Sequence, residues 1–250
     1  MGELRAIPVR GLGEIRAGDS LAEKIVAALR RQRLHLEAGD ILIVTHKVVS
    51  KAEGRVVRLR RVKPSRPAER WARRYGLDAR VVELALRESR RVVRMQHGAL
   101  ITETAHGLVC ANSGVDVSNV DGGKSAVLLP EDADASAARL REEIKKKMRR
   151  DIAVLITDSF GRPWRQGLCQ VAIGVAGMKA TRDFRGRRDP LGYKLRVTEE
   201  AVADELAALG ALSGDKLSRT PVCVVRGFRY PRGQGRARDL VRPARQDLFR

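Results

Sequence analysis

Ile152-Ala153-Val154-Leu155-Ile156-Thr157-Asp158-Ser159-Phe160-Gly161-Arg162 is the stretch that decides the fold class. An unbroken apolar run followed at once by polar residues is the pattern of a short strand buried on both faces. Such strands sit in sheets covered by helices, and α/β enzymes place their chemistry at strand ends. Thr157 to Arg162 therefore reads as a loop carrying Asp158. A second stretch repeats the arrangement, with the apolar run Gly107 to Ala111 leading into Ser113-Gly114-Val115-Asp116-Val117-Ser118-Asn119. Gly and Asn in these segments permit the tight backbone that aims side chains at one point. Two carboxylates presented this way suit a hard divalent cation, Mg²⁺ or Mn²⁺, which keeps positions open for water and phosphates.

Outward from these stretches, strands and helices alternate without an internal repeat. Ile7 to Val9 reads as a strand and Gly11-Leu12-Gly13-Glu14 as a turn. Ser20 and Glu23 form a capping box opening a helix to about Arg33, with Leu21, Ile25, Ala28 and Leu29 on its apolar face. Ile41 to Thr45 is a buried strand from whose end His46-Lys47-Val48-Val49-Ser50-Lys51 emerges. Pro64 and Pro67 mark a break before helices over 69–75 and 78–89. Strands over 92–95, 100–102 and 108–111 follow, then a helix from about Ala135 to Arg150. Beyond Arg162, 171–175 is strand-like, 198–212 helical and 222–225 the last strand. The chain reads as one 250-residue mixed α/β unit, with 232–250 a loosely ordered tail.

The formal net charge is +20, with 43% hydrophobic residues, enough for a sizeable core. Such a balance implies anionic partners: nucleic acid, phosphorylated metabolites or an acidic surface. Aromatic residues make up only 4%, so the stacking platforms of single-strand binders are missing. Cys110, Cys169 and Cys223 match neither a disulfide framework nor a zinc spacing and read as reduced thiols. Neither a signal peptide nor an apolar span of about 18 residues is present, so a cytoplasmic protein is expected.

Two phosphate-loop patterns fail. Residues 118–125 end in Gly-Gly-Lys-Ser, but Ser118 stands where a Walker A loop needs Gly. Gly11-Leu12-Gly13 begins a dinucleotide fingerprint, yet Arg16 replaces its last Gly, so neither a P-loop nor a Rossmann fold is expected. Lys47 and Lys51, at a strand end, are suited to neutralising phosphates. Together with the Asp pair they describe nucleotide-dependent phosphoryl transfer.

Four ordered motifs carry a resemblance: His46-Lys47-Val48-Val49-Ser50-Lys51-Ala52-Glu53-Gly54, the Ser113 to Asn119 loop, Ile156 to Arg162, and Val224-Val225-Arg226-Gly227. Together they resemble the coenzyme F-420-0:L-glutamate ligase (gamma-glutamyl ligase) family from about Ile7 to Gly227. The resemblance implies a mixed α+β fold of two intimately associated lobes with mixed and antiparallel sheets. It implies an enzyme of deazaflavin coenzyme biosynthesis that uses GTP to join L-glutamate to F-420-0 and adds further glutamates through γ-linkages, and a homodimer. By the family pattern Asp116 and Asp158 hold one divalent cation, Ser159 and Asp215 contribute to a second, and K⁺ is a further expected ion. Nucleotide contacts fall on Gly11, Leu12, Gly13, Glu14, His46, Lys47, Lys51 and Asn119, and on the late loop Ser213-Gly214-Asp215-Lys216-Leu217-Ser218. Two positions depart from the pattern: Gly13 stands where Pro is common, and Asp215 where Glu or Gln is common. No nitroreductase-like domain, fused to some members, is expected.

Arg162 and Arg165 follow the Asp158 loop and are expected to meet the acidic acceptor or its acyl phosphate. Nine Lys or Arg against one acid between Arg55 and Arg74 favour a second reading, a nucleic-acid binder whose Asp loops are only caps. A metal-dependent phosphohydrolase is the third.

Overall fold

The computed structural model describes residues 3–214 and 217–248. In chain order its elements are β1 (Arg5–Val9), α1 (Leu21–Arg31), β2 (Ile41–Thr45), α2 (His46–Ala52), β3 (Val56–Arg58), α3 (Arg66–Tyr75), α4 (Ala79–Arg87), β4 (Ser89–Gln96), β5 (Ala99–Thr104), β6 (Val109–Ala111), β7 (Ser125–Val127), α5 (Ala133–Met148), β8 (Ala153–Arg162), β9 (Arg165–Ala176), β10 (Arg182–Asp183), β11 (Glu199–Glu200), α6 (Val202–Leu212) and β12 (Val222–Arg226). The main sheet has the order β1-β12-β2-β8-β9, and within it only β2 and β8 run parallel.

β2 and the start of β8 read as continuous apolar runs because both faces of this sheet are covered. Leu42, Val44, Val154 and Ile156 pack with α1 and α5 in one core, while Ile41, Ile43, Ala153 and Leu155 pack with α6 in a second. A third core joins α3, α4, β5 and β7 through Ala68, Ala72, Val82, Leu84, Leu100 and Ala126. The fold is thus mixed α/β, of the α+β kind, as the sequence implies. Among the described residues no helix is long and apolar enough to cross a membrane.

Several elements differ from the sequence reading. Thr157 to Arg162 is not a loop. β8 continues through it, paired with β9 from Thr157↔Ala172 to Arg162↔Arg165. That half projects beyond the core, so it carries polar side chains and leaves no apolar trace of its strand character. The register shifts between Ile156 and Thr157, a bulge that re-aims the residues just after the buried run. His46 to Ala52 forms a helix, α2, rather than an open strand end. Ser125, at the end of the phosphate-loop pattern, begins β7, where a P-loop would begin a helix. Ser20 caps α1 by accepting from the Glu23 amide, but the Glu23 carboxylate pairs with Lys147 at 2.8 Å, so the capping box is only half made. The Arg-rich C-terminal stretch forms two 3-10 turns, Ala237–Leu240 and Ala244–Gln246. The first is docked by the buried Ala237, whose amide donates to Asp134 Oδ1 at 2.9 Å.

Candidate active site at one end of the main sheet

Register alone collects most of the site. Thr45 pairs with Thr157 in the parallel β2–β8 ladder, so His46, where α2 begins, and Asp158, the next residue of β8, come side by side. β12 runs antiparallel to β2 with Val222 opposite Val44, and the Thr45 amide donates to the Pro221 carbonyl at 2.9 Å. The late loop before β12 therefore lies at this same end. β1 finishes there too, with Val9 opposite Val222, bringing Gly11, Leu12, Gly13 and Glu14 along.

His46 Nε2 lies 3.2 Å from Asp158 Oδ1, and both side chains are largely buried. The two atoms are close but misaligned for a hydrogen bond, which leaves Nε2 without one. His46 Nδ1 meets Ser50 Oγ at 3.4 Å. One residue later, Lys47 Nζ contacts Asp116 Oδ2 at 2.7 Å and Ser118 Oγ at 2.7 Å. Consecutive residues at the start of α2 thus hold the two carboxylates that the sequence singled out. Lys51, one turn further, donates to Glu14 Oε1 at 2.8 Å and fastens the β1 turn to the same helix. Burial works against the charged form of Asp116. The Lys47 ammonium and the Ser118 amide together outweigh it and hold the carboxyl below its ordinary range.

Asp116 reaches this position through an unusual turn. Asn112, Ser113 and Gly114 are all left-handed, with φ of 52°, 53° and 71°. Ser113 pins the turn from inside: its amide donates to Thr102 Oγ1 at 2.9 Å and its hydroxyl to the Ala85 carbonyl at 2.7 Å. Asp116 then exchanges backbone hydrogen bonds with Val127 at 3.0 and 2.8 Å, which fixes the direction of its carboxylate.

The other expected site residues are scattered around this centre. Ser159 donates its amide to Asp158 Oδ1 at 2.7 Å. Asn119 is exposed in a left-handed turn (φ 57°) just past Asp116. Ser213 caps α6, its hydroxyl bonded to the Gly210 carbonyl at 2.7 Å, and Gly214 follows it. Asp215 and Lys216 lie outside the described residues, while Leu217 is exposed and Ser218 Oγ is 2.6 Å from Thr220 Oγ1. Arg162 does not join the carboxylates. It stands four residues past Asp158, roughly 13 Å along a strand, and donates to the Gln166 carbonyl. There it lines a cavity of about 1020 Å³ with Phe160, Trp164, Cys110, Leu108 and Arg242. Arg165 is exposed at the hairpin tip, outside that lining.

Sequence reasoning passes over Gln170, which faces Ser159 from β9 with its Nε2 2.5 Å from Ser159 Oγ and its Oε1 buried without a partner. A buried acceptor left unmet costs about 1–3 kcal/mol. No sequence pattern marks Gln170; the β8–β9 register alone does. Cys110 reads from sequence only as a structural thiol, and burial, reinforced by the nearby Asp158 carboxylate, pushes it up to about 12. At pH 8 Cys110 should therefore resist iodoacetamide on the folded protein. Because Asp158 raises that value, Asp158→Asn should speed the alkylation; an unchanged rate by peptide mapping would contradict their proximity.

Among the described residues no three His, Cys, Asp or Glu side chains form a ready-made cation cage. Two carboxylates with adjacent hydroxyls are nevertheless the usual protein share of a Mg²⁺ site, the remaining oxygens coming from water and substrate phosphates. The buried, unmet Gln170 Oε1 fits the same hard cation.

Carboxylates and two lysines gathered at strand ends, near a large cavity, are the arrangement on which α/β enzymes build their sites. The comparisons narrow that class. The family described as F420-0:Gamma-glutamyl ligase matches residues 11–227, and this chain belongs to it. The coenzyme F420:L-glutamate ligase of Methanothermobacter thermautotrophicus is 41% identical over 247 residues, covering 98% of each chain. That of Methanopyrus kandleri is 41% identical over 252 residues, 99% of this chain and 98% of its own. That of Methanocaldococcus jannaschii is 42% identical over 216 residues, 86% of each.

Proposed function

We propose that this chain joins L-glutamate to coenzyme F-420-0 with consumption of GTP, and extends the product by γ-linked glutamates. The observation that carries the reading is the meeting of the motif segments at one sheet end, in a chain that belongs to the ligase family over residues 11–227. A carboxylate is a poor acceptor for an amine. In the proposed reaction a carboxylate oxygen of the acceptor takes the γ-phosphoryl group of GTP, releasing GDP. The glutamate nitrogen then attacks the acyl carbon, the C–O bond to phosphate breaks, and the ammonium protons pass to the phosphate and solvent.

Bound divalent cations would supply charge neutralisation at the transferring phosphoryl group. Asp116, Asp158 and Ser159 are the residues to hold them, with K⁺ as a further ion. With a cation held by Asp116, Lys47 would be free to meet a phosphate oxygen, and Lys51 stands one turn away on the same helix. The β1 turn (Gly11 to Glu14), Asn119 and the late loop around Ser213 and Gly214 close around the nucleotide. Arg162, with Arg242 across the cavity, meets the acceptor's negative charge.

The chain also acts as a homodimer in this reading. Trp164 and Leu168 are exposed on the β8–β9 hairpin at 86% and 62%, a surface suited to a second copy. Sedimentation equilibrium should give twice 27.6 kDa; a monomer at micromolar concentration would count against it.

Mass spectrometry of the protein incubated with F-420-0, L-glutamate, GTP and Mn²⁺ tests the activity. A glutamate-sized mass increase absent with Asp116→Asn supports it. GTP loss without ligation favours a phosphohydrolase, and neither product nor GTP loss, with salt-sensitive polynucleotide binding, favours a nucleic-acid binder.

A further inference from the structure

Gln170 has no part in the function proposed above, yet it touches that site. In the β8–β9 ladder Ser159 pairs with Gln170 and Asp158 with Val171, so the amide stands directly across from the hydroxyl expected to face a cation. Its Nε2 donates to Ser159 Oγ at 2.5 Å. Its Oε1 is closed from solvent and meets no donor. Turning the amide over would exchange the two ends without giving the excluded one a partner, so either orientation leaves one polar atom unmet. Such an atom is retained where something outside the chain meets it. The neighbouring group says what: Ser159 Oγ, like Gln170 Oε1, is a hard oxygen.

We propose that Gln170 is a positioning residue for a divalent cation on the Ser159 side of the site. Its Nε2 fixes the Ser159 hydroxyl and its Oε1 supplies an oxygen to the cation's shell, directly or through one of its waters. The inference rests on the reading that cations bind at this end of the sheet. Ligands held in orientation by neighbouring side chains lose metal affinity when those neighbours are removed, commonly 10–100-fold. A neutral amide also sets the strength of the site, because a carboxylate in its place would add a charge to the same oxygen position.

The test is a Mn²⁺ titration, read by electron paramagnetic resonance in the presence of GDP, on the full-length wild-type protein, Gln170→Leu and Gln170→Glu. Ligation is assayed in parallel. Gln170→Leu should weaken one Mn²⁺ about 10–100-fold and leave the Asp116-dependent ion unchanged; Gln170→Glu should bind at least as tightly as wild type. A Gln170→Leu titration that overlays wild type overturns the proposal. So does unchanged Mn²⁺ binding with a raised KM for glutamate, since the amide then meets the substrate ammonium instead. If Gln170→Leu fails to fold, Gln170→Glu decides: tighter Mn²⁺ binding supports the proposal and weaker binding overturns it. Mn²⁺ weakened by Gln170→Leu in a wild type that does not ligate would support the positioning role and sink the ligase reading. Normal ligation with unaltered Mn²⁺ binding would do the reverse.

Discussion

Asp116→Asn is expected to lower the rate of glutamate ligation on the order of 10²–10³-fold while leaving the protein folded. The carboxylate is half-exposed and its principal partner is Lys47 at 2.7 Å, an ion pair that contributes little to stability at a solvent-accessible position. Asparagine has the same shape, and the backbone bridge to Val127 does not involve the side chain. What the substitution removes is one of two negative charges able to hold a cation. Losing a few kcal/mol of transition-state charge stabilisation corresponds to that range of rate. Asp158→Asn should act similarly, with a larger structural component because Asp158 is more buried. Both variants should be measured for turnover and thermal midpoint. Full turnover in Asp116→Asn would remove the carboxylate pair from the chemistry.

Gly114→Ala is expected to lower stability by about 3 kcal/mol, combining a left-handed residue given a Cβ with an overpacked contact. Gly114 has φ +71°, and a Cβ there would lie 2.6, 2.7 and 2.8 Å from three atoms of the buried Leu129 side chain. For a chain of this size the thermal midpoint should fall roughly 10 °C. Gly122 is the internal control. It has nearly the same φ, +73°, but a Cβ there would meet nothing within 4 Å. Gly122→Ala should therefore show only the conformational part, about 1 kcal/mol. Because Gly114 lies two residues before Asp116, its substitution should also depress ligation, whereas Gly122→Ala should affect it far less. Equal midpoints for the two variants would mean that Leu129 yields without cost.

The buried strands are legible because periodicity reports burial directly. Ile41 to Thr45 and the first half of β8 are apolar on both faces, and the structure covers both faces. The same logic explains where the sequence misleads. Beyond Thr157 the strand leaves the core, so burial no longer dictates its residues, and period-2 patterning vanishes although the backbone ladder continues to Arg162. α2 is hidden for a related reason: seven residues of mixed polarity are too short to show a helical stripe.

The sequence by itself determined which residues are the candidates for the chemistry. Asp116, Asp158, His46, Lys47 and Lys51 stand in segments whose order and composition match a ligase family, and side-chain chemistry does not depend on the fold to be recognised. Tertiary structure alone decided how they pair: His46 with Asp158, Lys47 with Asp116, Lys51 with Glu14, and Ser159 with Gln170. Those pairings join residues from 11 to 112 positions apart in the chain, as their numbers in the sequence show. They are fixed by strand register, by a bulge after Ile156 and by the left-handed turn at Asn112 to Gly114. Register arises from which faces are buried across the whole sheet, a property no local stretch of sequence contains.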